Sequence, residues 1–326
     1  MRALVLGGTG WLGRAVVRDM LAAGTDVTCL ARGTSGEVPE GAHLVRADRR
    51  ASGAYDGVRG DWDEVVELSA DPDLVEPALD ALADRAAHWT LVSTVSVYAR
   101  NDQPDADETA TLVEPRDLAQ YADAKVSAER SSAARLGSRL LIGRPGLVVG
   151  PGDPSDRFGY WPARLSLGGR VLSPTTAGRS VQVIDVADLA AWIGHAGRTG
   201  QTGIVNAVGP AVPLADFLRQ VTTSTAGPTR TAGHDTELVE VEDDVLLDRD
   251  VRYWAGPRSL PLWLPRSDAA FAQRSGRAFV ATGGRTRPLE PTVAAVLADE
   301  RARGLTRARR SGLTPVEEDA VLRSLR

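Results

Sequence analysis

The sequence predicts an α/β protein, a doubly wound parallel sheet followed by a smaller mixed C-terminal region. Three observations carry this. A glycine-rich loop, GGTGWLG at 7–13, directly follows the first apolar run. Short β-branched runs then alternate with longer segments of helical period, as βαβ crossovers require. After about residue 150 the rhythm gives way to GPGDPSDRFGYWP (150–162), rich in Gly, Pro and Asp and read as loop.

Taken in order, RALVLGG (2–8) is a strand and WLGRAVVRDMLAAG (11–24) a helix ended by Gly24. DVTCLAR (26–32), AHLVRAD (42–48) and WDEVVEL (62–68) supply three more strands, and DLVEPALDALADRA (73–86) a helix. WTLVSTV (89–95) is the fifth strand, LAQYADAKVSAERSSAARL (118–136) a long helix, and SRLLIGRPGLVVG (138–150) the sixth strand. SVQVIDVADLAAWIGHA (180–196) and GIVNAVG (203–209) read as one further helix and strand of the same domain. The boundaries this implies are 1–156 plus 180–208 for a nucleotide-binding domain and 157–179 plus 209–326 for a substrate-binding region.

Composition narrows the function classes. A chain of 326 residues, 43% hydrophobic and 25% charged, is long enough for roughly two globular domains. A net charge of -5 argues against a nucleic-acid or anionic membrane partner, and RARGLTRARR (301–310) reads as a solvated helix face. The opening run ALVLGG has no charged n-region before it, and no later run has the ~20 apolar residues of a membrane span, so a cytoplasmic location is expected. One cysteine, Cys29, excludes an intrachain disulfide, and the scattered His43, His88, His195 and His234 suggest no metal site. Of 38 cationic side chains, 37 are arginine and one is Lys125. Coding bias accounts for the arginines and predicts arginine at 125 too; the lysine resists it.

Gly7, Gly10 and Gly13 allow a tight turn, close approach of backbone to a pyrophosphate, and close helix–strand packing. The helix opening at Thr9, Trp11 and Leu12 offers amides and positive dipole to phosphates, which points to a Rossmann-type dinucleotide site. NAD-selective sites carry an acid at the end of the second strand. Here the run is Leu30-Ala31-Arg32-Gly33, and Arg32 suits a 2′-phosphate, so NADP is expected, with NAD open. Asp48 stands where it can accept from an adenine amino group. Tyr121 and Lys125 share one helix face at i and i+4, where an ammonium favours the phenolate and brings a tyrosine into range as an acid/base. The carboxyl end of the preceding strand carries Ser93, Thr94 and Ser96.

The glycine loop, VSTVSVY, Y-x-x-x-K and GRPGLVVGPGD, in this order across about residues 1–210, resemble the extended short-chain dehydrogenase/reductase family. The resemblance implies an NAD(P)-dependent enzyme in which Tyr121 is the general acid/base. Lys125 would hold the nicotinamide ribose and lower the tyrosine pKa, and Thr94 would hydrogen-bond the reacting oxygen. It further implies that Ser69-Ala70 pass under the cofactor, that Ser93 and the Arg144-Pro145-Gly146 turn flank the nicotinamide, and that Asn206 is structural. Ser96 and the loop residues Arg157, Tyr160 and Trp161 are the expected substrate contacts, with packing of the aromatics as the alternative. One departure matters: Val181 stands where relatives acting on nucleotide sugars place a diphosphate-gripping arginine, and Arg179 is the nearest replacement. The reading is therefore an NADP-dependent oxidoreductase interconverting a carbonyl and a secondary alcohol of a small molecule. An epimerase or dehydratase with retained NAD(P), and a non-catalytic NADP- or RNA-binding relative, are the alternatives. The resemblance leaves a homodimer open.

Overall fold

The computed structural model describes residues 1–225 and 236–325, which divide into two units. The first comprises Met1–Val148, Val186–Gly209 and Arg274–Thr286, and the second Val149–Asp185, Pro210–Gln273 and Arg287–Arg326. Against the boundaries drawn from sequence, residues 149–156 and 180–185 fall in the second unit, and residues 209 and 274–286 in the first.

The first unit is built on β1 (Arg2–Leu6), β2 (Asp26–Ala31), β3 (His43–Arg46), β4 (Trp62–Glu67), β5 (Ala86–Val92), β6 (Leu140–Pro145) and, later in the chain, Gly203–Ala207. These form a seven-stranded, all-parallel sheet in the order β3-β2-β1-β4-β5-β6-(203–207). The strands are apolar on both pleats because helices cover both faces. On one face α2 (Pro72–Leu82) and α3 (Tyr121–Leu136) bury Val75, Leu79, Ala128 and Leu136 against Leu4, Val65, Trp89, Leu91 and Ile142. Gly143, next to Ile142, faces the other way, where a methyl would come 3.0 Å from the ring of Trp192 in the helix Val186–Thr199. That helix packs on α1 (Trp11–Ala22).

Two readings of single elements change here. The sixth apolar run is two strands, β6 and β7 (Leu147–Val149), with Gly146 between them. The run 180–196, read as one helix, is a strand, Ser180–Asp185, continued by the helix Val186–Thr199.

In the second unit, Arg157–Leu167 is a helix, α4, although its Gly159 and Pro162 read as loop. Burial overrides propensity there, because Phe158, Trp161 and Leu165 are enclosed. β8 (Gly169–Pro174) pairs in parallel with a strand at Thr236–Val241, and β9 (Ser180–Asp185) pairs antiparallel with Ala211–Pro213. The arginine-rich stretch 301–310 is not a solvated helix face. Arg307 and Arg303 donate to Asp156, and Arg307 and Arg309 to Glu300, where both acids are almost wholly buried. The acids need these partners to be buried as ions.

Candidate cofactor and catalytic site

The strand order reverses between β1 and β4, and the carboxyl ends there are where α/β sheets bind ligands. Gly7 leaves β1 with φ +99°, a conformation glycine adopts without strain. A methyl at Gly13 would lie 2.9 Å from Gly8 Cα and closer still to the Gly7 carbonyl. A side chain at Gly8 would run into Cys29. Gly10 is the N-cap of α1 and contributes no side-chain cap. Arg14 ties the loop to the segment after β2, donating to the carbonyls of Thr9 and Ser35 (3.0 Å to the latter).

Beyond the loop lies a cavity of about 250 Å³, lined by Gly7, Thr9, Gly10, Arg32, Thr34, Ser35, Asp48, Arg49, Arg50, Leu68 and Ser69 among others. Six of the residues proposed from sequence therefore meet in one cleft: Gly7, Thr9, Gly10, Arg32, Asp48 and Ser69. Asp48 caps the turn after β3 by accepting from the Arg50 amide at 3.1 Å. Thr34, Ser35, Arg49 and Arg50 were not singled out from sequence; the arginine pair directly after Asp48 was the available signal. Trp11, Leu12 and Gly13 shape the loop rather than the cavity wall, and Ala70, Ser93, Pro145 and Gly146 lie outside its lining. A glycine loop that admits no side chain at Gly8 or Gly13, the N-terminus of α1 behind it and a cation-bearing cleft fit the adenosine and phosphate half of a dinucleotide.

At the other end of the sheet edge stands α3, which begins at Tyr121 itself rather than at residue 118. Tyr121 and Lys125 keep their one-turn separation. Tyr121 is 57% exposed, whereas Lys125 is 3% exposed. The Lys125 ammonium donates to the carbonyls of Val92 (2.6 Å) and Ser69 (3.2 Å), at the ends of β5 and β4. Burial pushes its pKa down to about 8, against the opposing pull of Glu67 and Glu129. Thr94 accepts from the Ser96 amide at 3.1 Å and donates to the Ser96 hydroxyl at 3.2 Å, so the two hydroxyls form one hydrogen-bonded pair. Ser93 is buried, with its amide donating to the Gly143 carbonyl at 2.7 Å.

Arg144 turns into the interior of its own unit. It is buried in an ion pair with Glu129 (2.6 Å) and donates to the Tyr98 hydroxyl (3.0 Å), which donates to Asn206 Oδ1 (2.6 Å). Asn206 thus has the structural setting expected of it. Of the expected substrate contacts, Tyr160 and Trp161 lie in the interior of their unit, 2% and 0% exposed, and the Trp161 indole donates to Pro261 O. Arg157 stacks over Trp254. Arg179 is spent within its own unit, on Asp243 (2.5 Å), Thr175 O (2.9 Å) and Leu264 O, so it is no spare diphosphate ligand. Among the described residues no three His, Cys, Asp or Glu side chains gather at metal-binding range, and no helix is long and apolar enough to cross a membrane. His234 lies outside the described residues.

A parallel sheet with a glycine loop at its switch point is a Rossmann-type fold of the dinucleotide-binding kind. The chain belongs to the NAD dependent epimerase/dehydratase family, whose model matches residues 3–209, and so to the extended short-chain dehydrogenase/reductases. No curated protein sequence matches it. Solved structures share its fold. UDP-N-acetylglucosamine 4-epimerase from Bacillus cereus is 16% identical with a TM-score of 0.67, covering 94% of this chain and 98% of the other. UDP-glucuronic acid 4-epimerase from Bacillus cereus, solved with NAD, is 13% identical at 0.65, covering 93% and 99%. UDP-glucose 4-epimerase from Thermotoga maritima, solved with UDP-glucose, is 18% identical at 0.64, covering 93% and 99%.

Proposed function

We propose that the protein is an NADP-dependent oxidoreductase that interconverts a carbonyl and a secondary alcohol of a small, non-phosphorylated molecule. The observation that carries this reading is the chain's single lysine, buried one helical turn from an exposed tyrosine and anchored to the carbonyls of Val92 and Ser69. Burying an ammonium is costly, and its place beside Tyr121 gives the cost a purpose. Gly7, Thr9 and Gly10 would hold the pyrophosphate, Arg32 the 2′-phosphate, Asp48 the adenine and Lys125 the nicotinamide ribose. The bound cofactor supplies or accepts hydride at the carbon. In the reductive direction Tyr121 gives its phenolic proton to the carbonyl oxygen, and the Lys125 charge stabilises the phenolate left behind. Thr94, relayed by Ser96, steadies the developing alkoxide.

The second reading, an epimerase or dehydratase with retained NAD(P), draws support from the family and from what the solved relatives act on. Against a sugar nucleotide stand Val181 and the fully engaged Arg179. The test is NADPH consumption with a panel of ketones and aldehydes by the wild type and by Tyr121→Phe. Turnover by the wild type, with loss of at least about 100-fold in Tyr121→Phe at unchanged NADPH affinity, supports the reading. Tightly held, co-purifying cofactor with no net consumption selects the epimerase or dehydratase, and equal turnover by Tyr121→Phe refutes the mechanism.

A further inference from the structure

We propose that the buried Arg49–Glu67 pair is a positioning device for Lys125, acting through the Ser69 peptide. The proposal rests on the reading of Lys125 as the cofactor-side amine. Glu67 ends β4 between Leu6 of β1 and Leu91 of β5, and it is completely buried. Its Oε1 accepts the Ser69 amide at 2.8 Å, and the Ser69 carbonyl at the same residue accepts Lys125 Nζ at 3.2 Å. Arg49 grips both carboxylate oxygens of Glu67, one of them at 3.1 Å. Arg49 is itself fixed by the Tyr55 hydroxyl (3.1 Å) and the Leu74 carbonyl (2.7 Å). A continuous hydrogen-bonded path thus runs from Arg49 through Glu67 and the Ser69 residue to the amine.

Packing alone gives no reason for this pair. An apolar pair of similar volume commonly replaces a buried ion pair without loss of stability. What an apolar pair cannot do is hold the Ser69 amide and set the field at Lys125. The charged groups facing Lys125 are Glu67 from β4 and Glu129 from α3, and each is neutralised by its own buried arginine, Arg49 and Arg144. The amine therefore sits between two balanced pairs, with Tyr121 one turn away on its own helix. Removing either member of the Arg49–Glu67 pair unbalances one side in a known direction: losing Glu67 disfavours the ammonium, and losing Arg49 favours it.

With one lysine in the chain, incorporation of [ε-13C]lysine gives one side-chain resonance, whose titration reads Lys125 alone. The expected results are a midpoint lowered by about one pH unit in Glu67→Gln and raised by about as much in Arg49→Gln. Opposite signs distinguish positioning from general loosening, which moves both midpoints the same way, toward an exposed lysine. If Arg49→Gln does not fold, the lowered midpoint in Glu67→Gln decides alone; if Glu67→Gln does not fold, Glu67→Leu, which also removes the charge, carries the same expected sign. An unchanged midpoint, or the same direction in both variants, overturns the proposal. The pH dependence of NADP+ affinity in the same proteins separates this claim from the reading beneath it. If the midpoints move as expected and NADP+ affinity does not follow them, the positioning stands and the assignment of Lys125 to the cofactor falls.

Discussion

Replacing Lys125 by methionine changes the pH dependence of stability in a way the geometry specifies. Methionine keeps most of the buried stem and removes the charge. Burial lowers the wild-type amine to about 8 in the folded protein, from the 10.5 of an ordinary lysine. At pH 7 the native state therefore carries a buried-charge penalty of about 3 kcal/mol, at 1.36 kcal/mol per pH unit. The sign follows from proton counts. Between the two values the unfolded chain holds a proton that the native state has released, so stability rises with pH; the penalty is gone above about 10.5 and is complete below about 8. Roughly 2 kcal/mol of it is recovered between pH 7 and pH 9.5. Lys125→Met lacks this term but leaves the Val92 and Ser69 carbonyls without their donor, at about 1–3 kcal/mol each. That cost is the same at both pH values, so the wild type should gain on the variant by about 2 kcal/mol between pH 7 and pH 9.5. Urea unfolding followed by far-UV circular dichroism at both pH values measures this, and other titrating groups cancel in the difference. A difference that stays constant within about 0.5 kcal/mol refutes the buried-charge reasoning.

Two further substitutions probe the cofactor cradle. Gly13→Ala forces a methyl onto the backbone of Gly7 and Gly8, and should cost about 2 kcal/mol or more and weaken cofactor binding at least about tenfold. Gly10→Ala, whose methyl would stand 3.4 Å from Gly7 O, should keep its melting temperature and still lose the cofactor, as calorimetry of both kinds would record. Arg32→Ala should weaken NADP+ by about 10- to 100-fold and NAD+ hardly at all by titration calorimetry, and equal weakening excludes a 2′-phosphate contact.

The seven parallel strands were legible because a strand covered on both faces must be apolar on both pleats, and β1, β2 and β5 carry that signature openly. The glycine loop was legible for a related reason, since a positive φ at Gly7 and backbone contacts at Gly13 both disfavour any side chain. α4 was hidden because Gly159 and Pro162 are local breakers, while the force that makes it a helix is the burial of Phe158 and Trp161 by segments distant in sequence. The same limit hid Glu67, which is 18 residues from Arg49 and 58 from Lys125, so that no local pattern marks the three as neighbours. The arginines of 301–310 misled in the opposite sense: a charge run reads as solvated until Asp156 and Glu300 are found buried beneath it. Lys125 stood out for a reason unrelated to folding, as the one position where a chain otherwise written in arginine kept an amine. A compact ammonium reaches two converging carbonyls where a forked guanidinium does not fit the same space.

In the proposed enzyme the Lys125 amine meets a bound dinucleotide. The most direct measurement is the [ε-13C]lysine resonance of the full chain during a titration with NADP+. The single signal should shift in step with binding and its titration midpoint should change in the saturated complex, whereas adenosine 2′,5′-bisphosphate, which lacks the nicotinamide half, should bind without reproducing either change. A lysine signal that ignores saturating NADP+ contradicts this placement of Lys125.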